Sequence, residues 1–504
     1  MRPAHFTFRR LSQCLSHYLS QRASQRASQR ASQRASQRAS QRLSQCLSQC
    51  LSLIAVITLS ACSTLPKLDY IGTPIDRTAA PTIQNAQGDA ISKKRVKAML
   101  DRRLRNSSID LKARAAIEEA ATGSPLIAGN AVSLLYDGPQ TMGAMIAAIT
   151  NAKDNINLET YIFDQDELGL RFADLLIAKQ QAGVDVNILY DSVGTIGTPN
   201  AFFDRMKAAG IRLVAFNPVN PFKRFGNWDL NNRDHRKILV VDGKTAFTGG
   251  VNISATYARS SPFRSGSGSG GSYGTKTGWR DTHIQIEGPA VAALQAIFID
   301  GWESQHAGEM ADRDYFPALS VAGDRIVRVV GSTPSSDHEI YQAYVLAMQQ
   351  ATKSIHITSA YFVPDVQVVA ALKAAAARGI DVTMVLSGVS DSGLVLHAAQ
   401  SYYDELLAAG IKIYQLKVAV LHAKTAVIDG VWSTIGSTNL DTRSFLLNNE
   451  VNVIVLGDTF GASMESAFAE DVRDATQITK ETWAQRPLTD RLKEYAARTL
   501  GYYL

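Results

Sequence analysis

Beyond Cys62 the sequence contains no cysteine; Cys14, Cys46, Cys50 and Cys62 are the only four in 504 residues. The 442 residues that follow can hold no disulfide, no CxxC metal site and no thiol nucleophile. No apolar run reaches the roughly 18 residues that a membrane-crossing helix needs. A basic excess is missing too, although the formal net charge is +6. Residues 1–61 hold nine Arg and no Lys, Asp or Glu, which leaves 43 basic against 46 acidic residues downstream, a net charge of −3. The electrostatic footprint of a nucleic-acid binder is absent, so no nucleic acid is expected as a partner. What is present is a core-forming composition, 45% hydrophobic and 19% charged, in a length suited to one large or two medium domains.

The N-terminal residues stand apart. Five tandem copies of "SQRA" run from Ser20 to Ala39, and a period of four drifts around a helix without building a core. "LSLIAVITLSACS" follows, a short apolar run from Leu51 to Leu59 and then small residues, which is the grammar of a signal peptide. "LSAC" (Leu59 to Cys62) resembles the lipobox of bacterial lipoproteins. That resemblance implies that Cys62 is lipidated and ties the protein to a membrane through its acyl chains. The expected location is the periplasmic face of a bacterial membrane, the outer one by virtue of Ser63.

Downstream, two similar series of elements appear. "GPQTMGAMIAAITNAKDNINLETYIF" predicts an amphipathic helix with Met142, Met145, Ile146 and Ile149 on one face, then a strand ending at Tyr161. "DHEIYQAYVLAMQQATKSIHITSAYFVP" repeats the plan with Ile340, Tyr344, Ala347 and Met348, then a strand reaching Tyr361. "QQAGVDVNILYD" and "AARGIDVTMVLSG" each give a helix end, a Gly stop and a β-branched strand. A unit this long is a duplicated domain and not a solenoid repeat, and alternating helices and strands make each copy α/β. The expected layout is a repeat and signal peptide over 1–61, a linker and helical segment over 62–123, and two similar domains over 124–310 and 311–504. The Gly/Ser tract from Ser265 to Gly274 reads as a surface insertion. The C-terminal "RPLTDRLKEYAARTLGYYL" reads as a helix closing the second domain.

Each copy carries the same small constellation. "DHRKILVVDG" and "LHAKTAVIDG" both spell His-x-Lys-x-x-x-x-Asp-Gly, 187 residues apart, and run on to Asn252 and Asn439 through matched flanks. Residues i and i+2 of a strand share a face, so His235 projects with Lys237, and His422 with Lys424. Polar residues repeated inside apolar strands are costly to bury unpaired. Brought together about a pseudo-twofold axis, they make one site, in which cations hold phosphoryl oxygens and amides donate further hydrogen bonds. One imidazole can attack phosphorus while the other protonates the leaving oxygen. That needs two protonation states, which neighbouring carboxylates can set; Asp281 in "WRDTH" and Glu450 in "NNEVNV" are the candidates. No His/Cys/Asp array has metal-ligand spacing, so the lysines take the part that metal ions play elsewhere and no cofactor is expected.

The stretches "NNRDHRKILVVDGKTAFTGGVNIS", "WRDTHIQIEGPAVAALQAIF", "AYFVPD" and "LHAKTAVIDGVWSTIGSTNLDTRSFLLNNE" resemble the phospholipase D superfamily, in particular its bacterial cardiolipin synthase branch. The resemblance implies two α/β domains packed about a pseudo-twofold axis, with the active site at their interface. It implies a two-step reaction through a phosphatidyl-histidine, with phosphatidylglycerol as the phospholipid substrate. The catalytic set would be His235, Lys237, Asp242, His422, Lys424 and Asp429, the two Asp residues supporting the motif rather than doing chemistry. By position His235 would be the nucleophile and His422 the general acid and then base. Lys237, Lys424, Asn252 and Asn439 would bind phosphate, with Ser437 beside them, and Asp281 and Glu450 would orient the imidazoles. The motif fits transfer to a lipid and hydrolysis by water alike.

Overall fold

Strands and helices alternate in both halves, and the first half builds its sheet from β1 (Leu126–Leu135), β2 (Asn155–Thr160), β3 (Asp185–Asp191), β4 (Arg212–Phe216), β6 (Ile238–Val241), β7 (Thr245–Gly249) and β9 (His283–Glu287). Two short strands, β5 (Arg233–Asp234) and β8 (Trp279–Arg280), lie outside that sheet. The computed structural model describes residues 65–68, 80–103, 111–219, 231–258 and 278–501. The N-terminal repeat, Cys62 and the Gly/Ser tract lie outside the described residues.

The spatial order is β4-β3-β2-β6-β7-β9-β1, with β4, β3 and β2 parallel and the rest antiparallel. The second half repeats it with β10 (Arg325–Ser332), β11 (Ser354–Ser359), β12 (Asp381–Ser387), β13 (Lys412–Leu416), β15 (Lys424–Ile428), β16 (Trp432–Gly436) and β17 (Asn448–Leu456). Its order is β13-β12-β11-β15-β16-β17-β10, and β18 (Ala475–Ile478) is added beyond β13. Strand β1 pairs with β10, with Ile127 opposite Val327, so the two sheets run into one continuous mixed sheet.

Local chemistry sets the elements. The helix Gly138–Asn151 starts where Asp137 accepts the Gln140 N–H at 2.9 Å. It buries Met142, Met145 and Ile149, while Ile146 is only partly buried. The helix Glu339–Gln350 buries Ile340, Tyr344 and Met348 in the same way. Asp242 and Gly243 have φ of 53° and 59°, and Asp429 and Gly430 have 57° and 68°. Each Asp-Gly pair thus makes a mirror-image turn that suits the twist of the hairpin it closes.

Each half has its own core, and a third core draws Ile238, Val240 and Ile284 from the first half and Val427, Ile435 and Val453 from the second. The helix Leu111–Thr122, expected within a separate N-terminal segment, packs on the second half through Arg114 to Asp429 (2.7 Å) and Glu118 to Trp432 (2.9 Å). The C-terminal helix Leu488–Arg498 buries Glu494 and Ala497 and leaves Leu488, Leu492 and Tyr495 exposed. No described helix is long and apolar enough to cross a membrane.

Candidate active site

The two short strands carry the site. Strand β5 leaves its own half and pairs in parallel with the start of β17, Asp234 opposite Asn449. Strand β14 (Val420–Leu421) does the converse and pairs with β8, Leu421 opposite Arg280. The next residue in each case is a motif histidine. The His235 N–H donates to the Asn449 carbonyl at 3.0 Å, and the His422 N–H to the Arg280 carbonyl at 2.8 Å. His235 and Lys237 therefore occupy an extended link just ahead of β6, not the strand itself.

This exchange gives each imidazole a carboxylate from the other half. His235 Nδ1 meets Glu450 at 3.0 and 3.2 Å, and His422 Nδ1 meets Asp281 at 2.7 Å. All four are buried. Both imidazoles line one cleft of about 390 Å³, together with Asn439. Lys237 and Lys424 stand buried behind their histidines, each ammonium on the carbonyl of its own His. Lys424 Nζ also lies 2.9 Å from His422 Nδ1.

Burial governs the protonation of these groups, and charge corrects it. Burial pushes the His235 imidazole down to about 4, with Glu450 pulling the other way. Burial and then the Lys424 charge push His422 well below the usual imidazole range. Lys237 is pushed down to about 7 and Lys424 to about 8 by burial, opposed by Glu450 and Asp281 respectively. These shifts favour the neutral imidazole at both histidines, which leaves each ring one nitrogen lone pair. An anion entering between the lysines favours their charged forms and relieves the suppression of His422.

The carboxylates differ. Burial raises Asp281 to about 6. Burial acts on Glu450 too, but His235, Lys237 and the Ser437 hydroxyl hold it below the ordinary range. Ser437 Oγ donates to Glu450, and the Val451 N–H donates to Ser437 at 3.0 Å. In the first half a Cβ on Gly250 would fall 2.1 Å from Asp281 Oδ1, so no side chain fits there. The two half-sites share a plan, and neighbours offset burial more fully at Glu450 than at Asp281.

Two side chains sit otherwise than expected. Ser437 supports Glu450 rather than lying ready for phosphate. Asn252 is fully buried and committed to its own half, accepting the Ile162 N–H at 3.1 Å and donating to Tyr257 at 2.8 Å. It does not line the cleft. Asp242 and Asp429 stand at the turns of the two motif hairpins. Asp242 accepts the N–H groups of Lys153, Asp154 and Asn155, and Asp429 those of Thr352, Lys353 and Ser354. They pin the turn before the neighbouring strand to the far end of the motif hairpin.

Other cleft residues went unnoticed in the sequence. Tyr161 stands edge-on to His235 at 5.1 Å and Tyr361 edge-on to His422 at 6.4 Å; their duplication at the ends of matching strands was a usable signal. Trp279, Arg233 and Asp441 also line the cleft, and burial pushes the Asp441 carboxyl up to about 7. Behind the first motif, burial raises Glu159 well above its ordinary range and raises Asp234 to about 6. Arg236 lies 3.7 Å from Glu159. The second half has Leu421 and Ala423 at the places of Asp234 and Arg236, in an apolar cluster with Val385 and Phe468.

Two duplicated α/β halves that each bring a histidine to one cleft, each backed by a buried lysine and by a carboxylate of the other half, suit two-histidine phosphoryl transfer. Comparison with known proteins agrees. The family described as "Cardiolipin synthase, PLD-like domain" matches residues 145–261 and 344–472. The cardiolipin synthase of Geobacillus kaustophilus is 36% identical over 381 residues, 75% of this chain and 73% of that one. Cardiolipin synthase 1 of Bacillus cereus is 36% identical over 392 residues, covering 75% and 74% of the two chains. The crystal structure of phosphatidylserine synthase from Haemophilus influenzae superposes with a TM-score of 0.60 at 15% identity, over 78% of this chain and 100% of that one, and so shares the fold. The chain belongs to the cardiolipin synthase branch of the phospholipase D-like family.

Proposed function

We propose that the protein transfers a phosphatidyl group from one phosphatidylglycerol to a hydroxyl of another, forming cardiolipin and releasing glycerol. The observation that supports this most is the crossed pairing of His235 with Glu450 and His422 with Asp281 at one cleft. Glu450, held ionised, accepts the Nδ1 proton of His235 and leaves Nε2 to attack phosphorus. The bond from phosphorus to the glycerol oxygen breaks, and His422 supplies the proton to that oxygen. The second lipid's hydroxyl then gives its proton to His422, attacks phosphorus and displaces Nε2. Lys237 and Lys424 hold the non-bridging oxygens, where charge builds in both transition states.

The test is to incubate the full chain with labelled phosphatidylglycerol and separate the lipids. Cardiolipin with free glycerol is the expected result. Phosphatidic acid as the only product would make the protein a hydrolase, and no turnover would remove both readings.

We also propose that Cys62 is lipidated and keeps the protein on the periplasmic face of the membrane. Support comes from the apolar run and small residues of "LSLIAVITLSAC". Cys62→Ser should abolish palmitate labelling and release the protein from the membrane fraction; undiminished labelling would refute the anchor.

A further inference from the structure

The two walls of the cleft are not alike. The loop after β3, tied to the His235 side by a 3.2 Å hydrogen bond from Arg233 to Ser192, lines the cleft with Val193, Ile196 and glycines. The matching loop after β12 is tied to the His422 side by a 3.1 Å bond from Ser387 Oγ to the Leu421 carbonyl. From that loop Asp391 alone lines the cleft. Tyr361 Oη donates to Asp391 Oδ1 at 2.6 Å and Ser390 Oγ donates to the same oxygen at 3.1 Å. No described residue hydrogen-bonds Asp391 Oδ2. Asp164 and Arg233 also line the cleft from the first half, while the second half offers a carboxylate oriented by Tyr361 and near enough to His422 to act on its charge.

In-line displacement puts the departing and the incoming alcohol opposite the attacking nitrogen of His235, on the side of His422. We propose that Asp391, held by Tyr361, selects the acceptor alcohol. Its carboxylate accepts a hydrogen bond from the hydroxyl on the carbon adjacent to the one that bears the attacking oxygen, as a glycerol head group presents it. Asp391 takes no proton in the reaction; His422 does. Water carries no such second hydroxyl, so the pair favours transfer over hydrolysis. The inference rests on the proposed phosphatidyl transfer with His422 serving the alcohol.

The experiment uses the full chain in mixed micelles with a phosphatidyl-p-nitrophenol donor and equal concentrations of 1,2-propanediol and 1-propanol. These alcohols differ by the one hydroxyl that Asp391 would meet. The product ratio is read within one reaction and is independent of total turnover. The wild type should favour the diol by about tenfold or more, the scale of one hydrogen bond to a charged group. Asp391→Ala should bring the ratio near one, and Asp391→Asn and Tyr361→Phe should fall between. A wild-type ratio in Asp391→Ala would overturn the assignment, as would a wild type that does not discriminate. Failure of both Asp391 variants to form any product would place the residue in the chemistry and equally overturn it. A wild type that releases nitrophenol but yields only phosphatidic acid would instead overturn the phosphatidyl-transfer reading itself.

Discussion

Replacing Glu450 by Gln removes one charge at almost constant volume and tests the crossed pairing directly. In the wild type the carboxylate faces His235 Nδ1 at 3.0 and 3.2 Å, accepts from Ser437, and receives Asn448 Nδ2 at 3.3 Å. The amide loses a charge-assisted hydrogen bond worth about 1.5–3 kcal/mol. It also leaves Lys237 without the opposite charge that most supports its ammonium. Loss of one partner from a buried charged pair lowers folding stability by about 3–5 kcal/mol. The lost hydrogen bond, at about 1.4 kcal/mol per decade, should lower kcat roughly ten- to a hundredfold or somewhat more. The expected signature is a fall in kcat with KM little changed, because the carboxylate acts on the imidazole and not on bound lipid. Cardiolipin formation from labelled phosphatidylglycerol measures the rate, and circular dichroism checks the fold. A well-folded variant within tenfold of wild-type kcat would refute the claim that Glu450 activates His235.

Lys237 and Lys424 are pushed down to about 7 and about 8, so their charge is present below those values and lost above them. kcat/KM should therefore fall as pH rises through 7–8, and Lys237→Arg should move that limb upward; a plateau to pH 10 would contradict it. Asp242→Asn should act on stability, lowering the melting temperature by several degrees through about 1–3 kcal/mol of lost turn hydrogen bonds. The folded variant's kcat should stay within about threefold of wild type, and a loss of catalysis at an unchanged melting temperature would place Asp242 in the chemistry. Gly250→Ala forces a Cβ to 2.1 Å from Asp281 Oδ1. It should displace the partner of His422 and cut kcat at least tenfold; normal activity would show that Asp281 need not hold its place.

Much of the fold was readable because it is local and written twice. The helix faces of Met142 and Ile340, the Asp-Gly turns and the succession of helices and strands along the chain all follow from periodicity and turn chemistry. The pooling of His235, Lys237, His422 and Lys424 followed from duplication. The partnership between halves was less legible, since nothing near Glu450 in the chain points to a histidine 215 residues away. Asn252 was assigned by the match of the two motifs and the family resemblance, and Ser437 by the resemblance alone. Their side chains were claimed instead by neighbours, Tyr257 and Glu450, that only the packed structure brings up. Glu159 and Asp234 escaped notice because the strand residues around them read as ordinary core. Asp391 lies in a loop, where periodicity has nothing to say.

The exchange of β5 and β14 also has a consequence for how such a chain is inherited. Each histidine borrows its carboxylate from the opposite repeat, so a change at Glu450 is felt by a residue encoded in the other copy. Neither copy can decay or specialise by itself, as the members of a duplicated pair ordinarily can. His235 and Glu450 would behave in genetic tests as one functional unit, and His422 and Asp281 as another, although each pair straddles the boundary between repeats. Selection on this chain therefore acts on crossed pairs, not on halves.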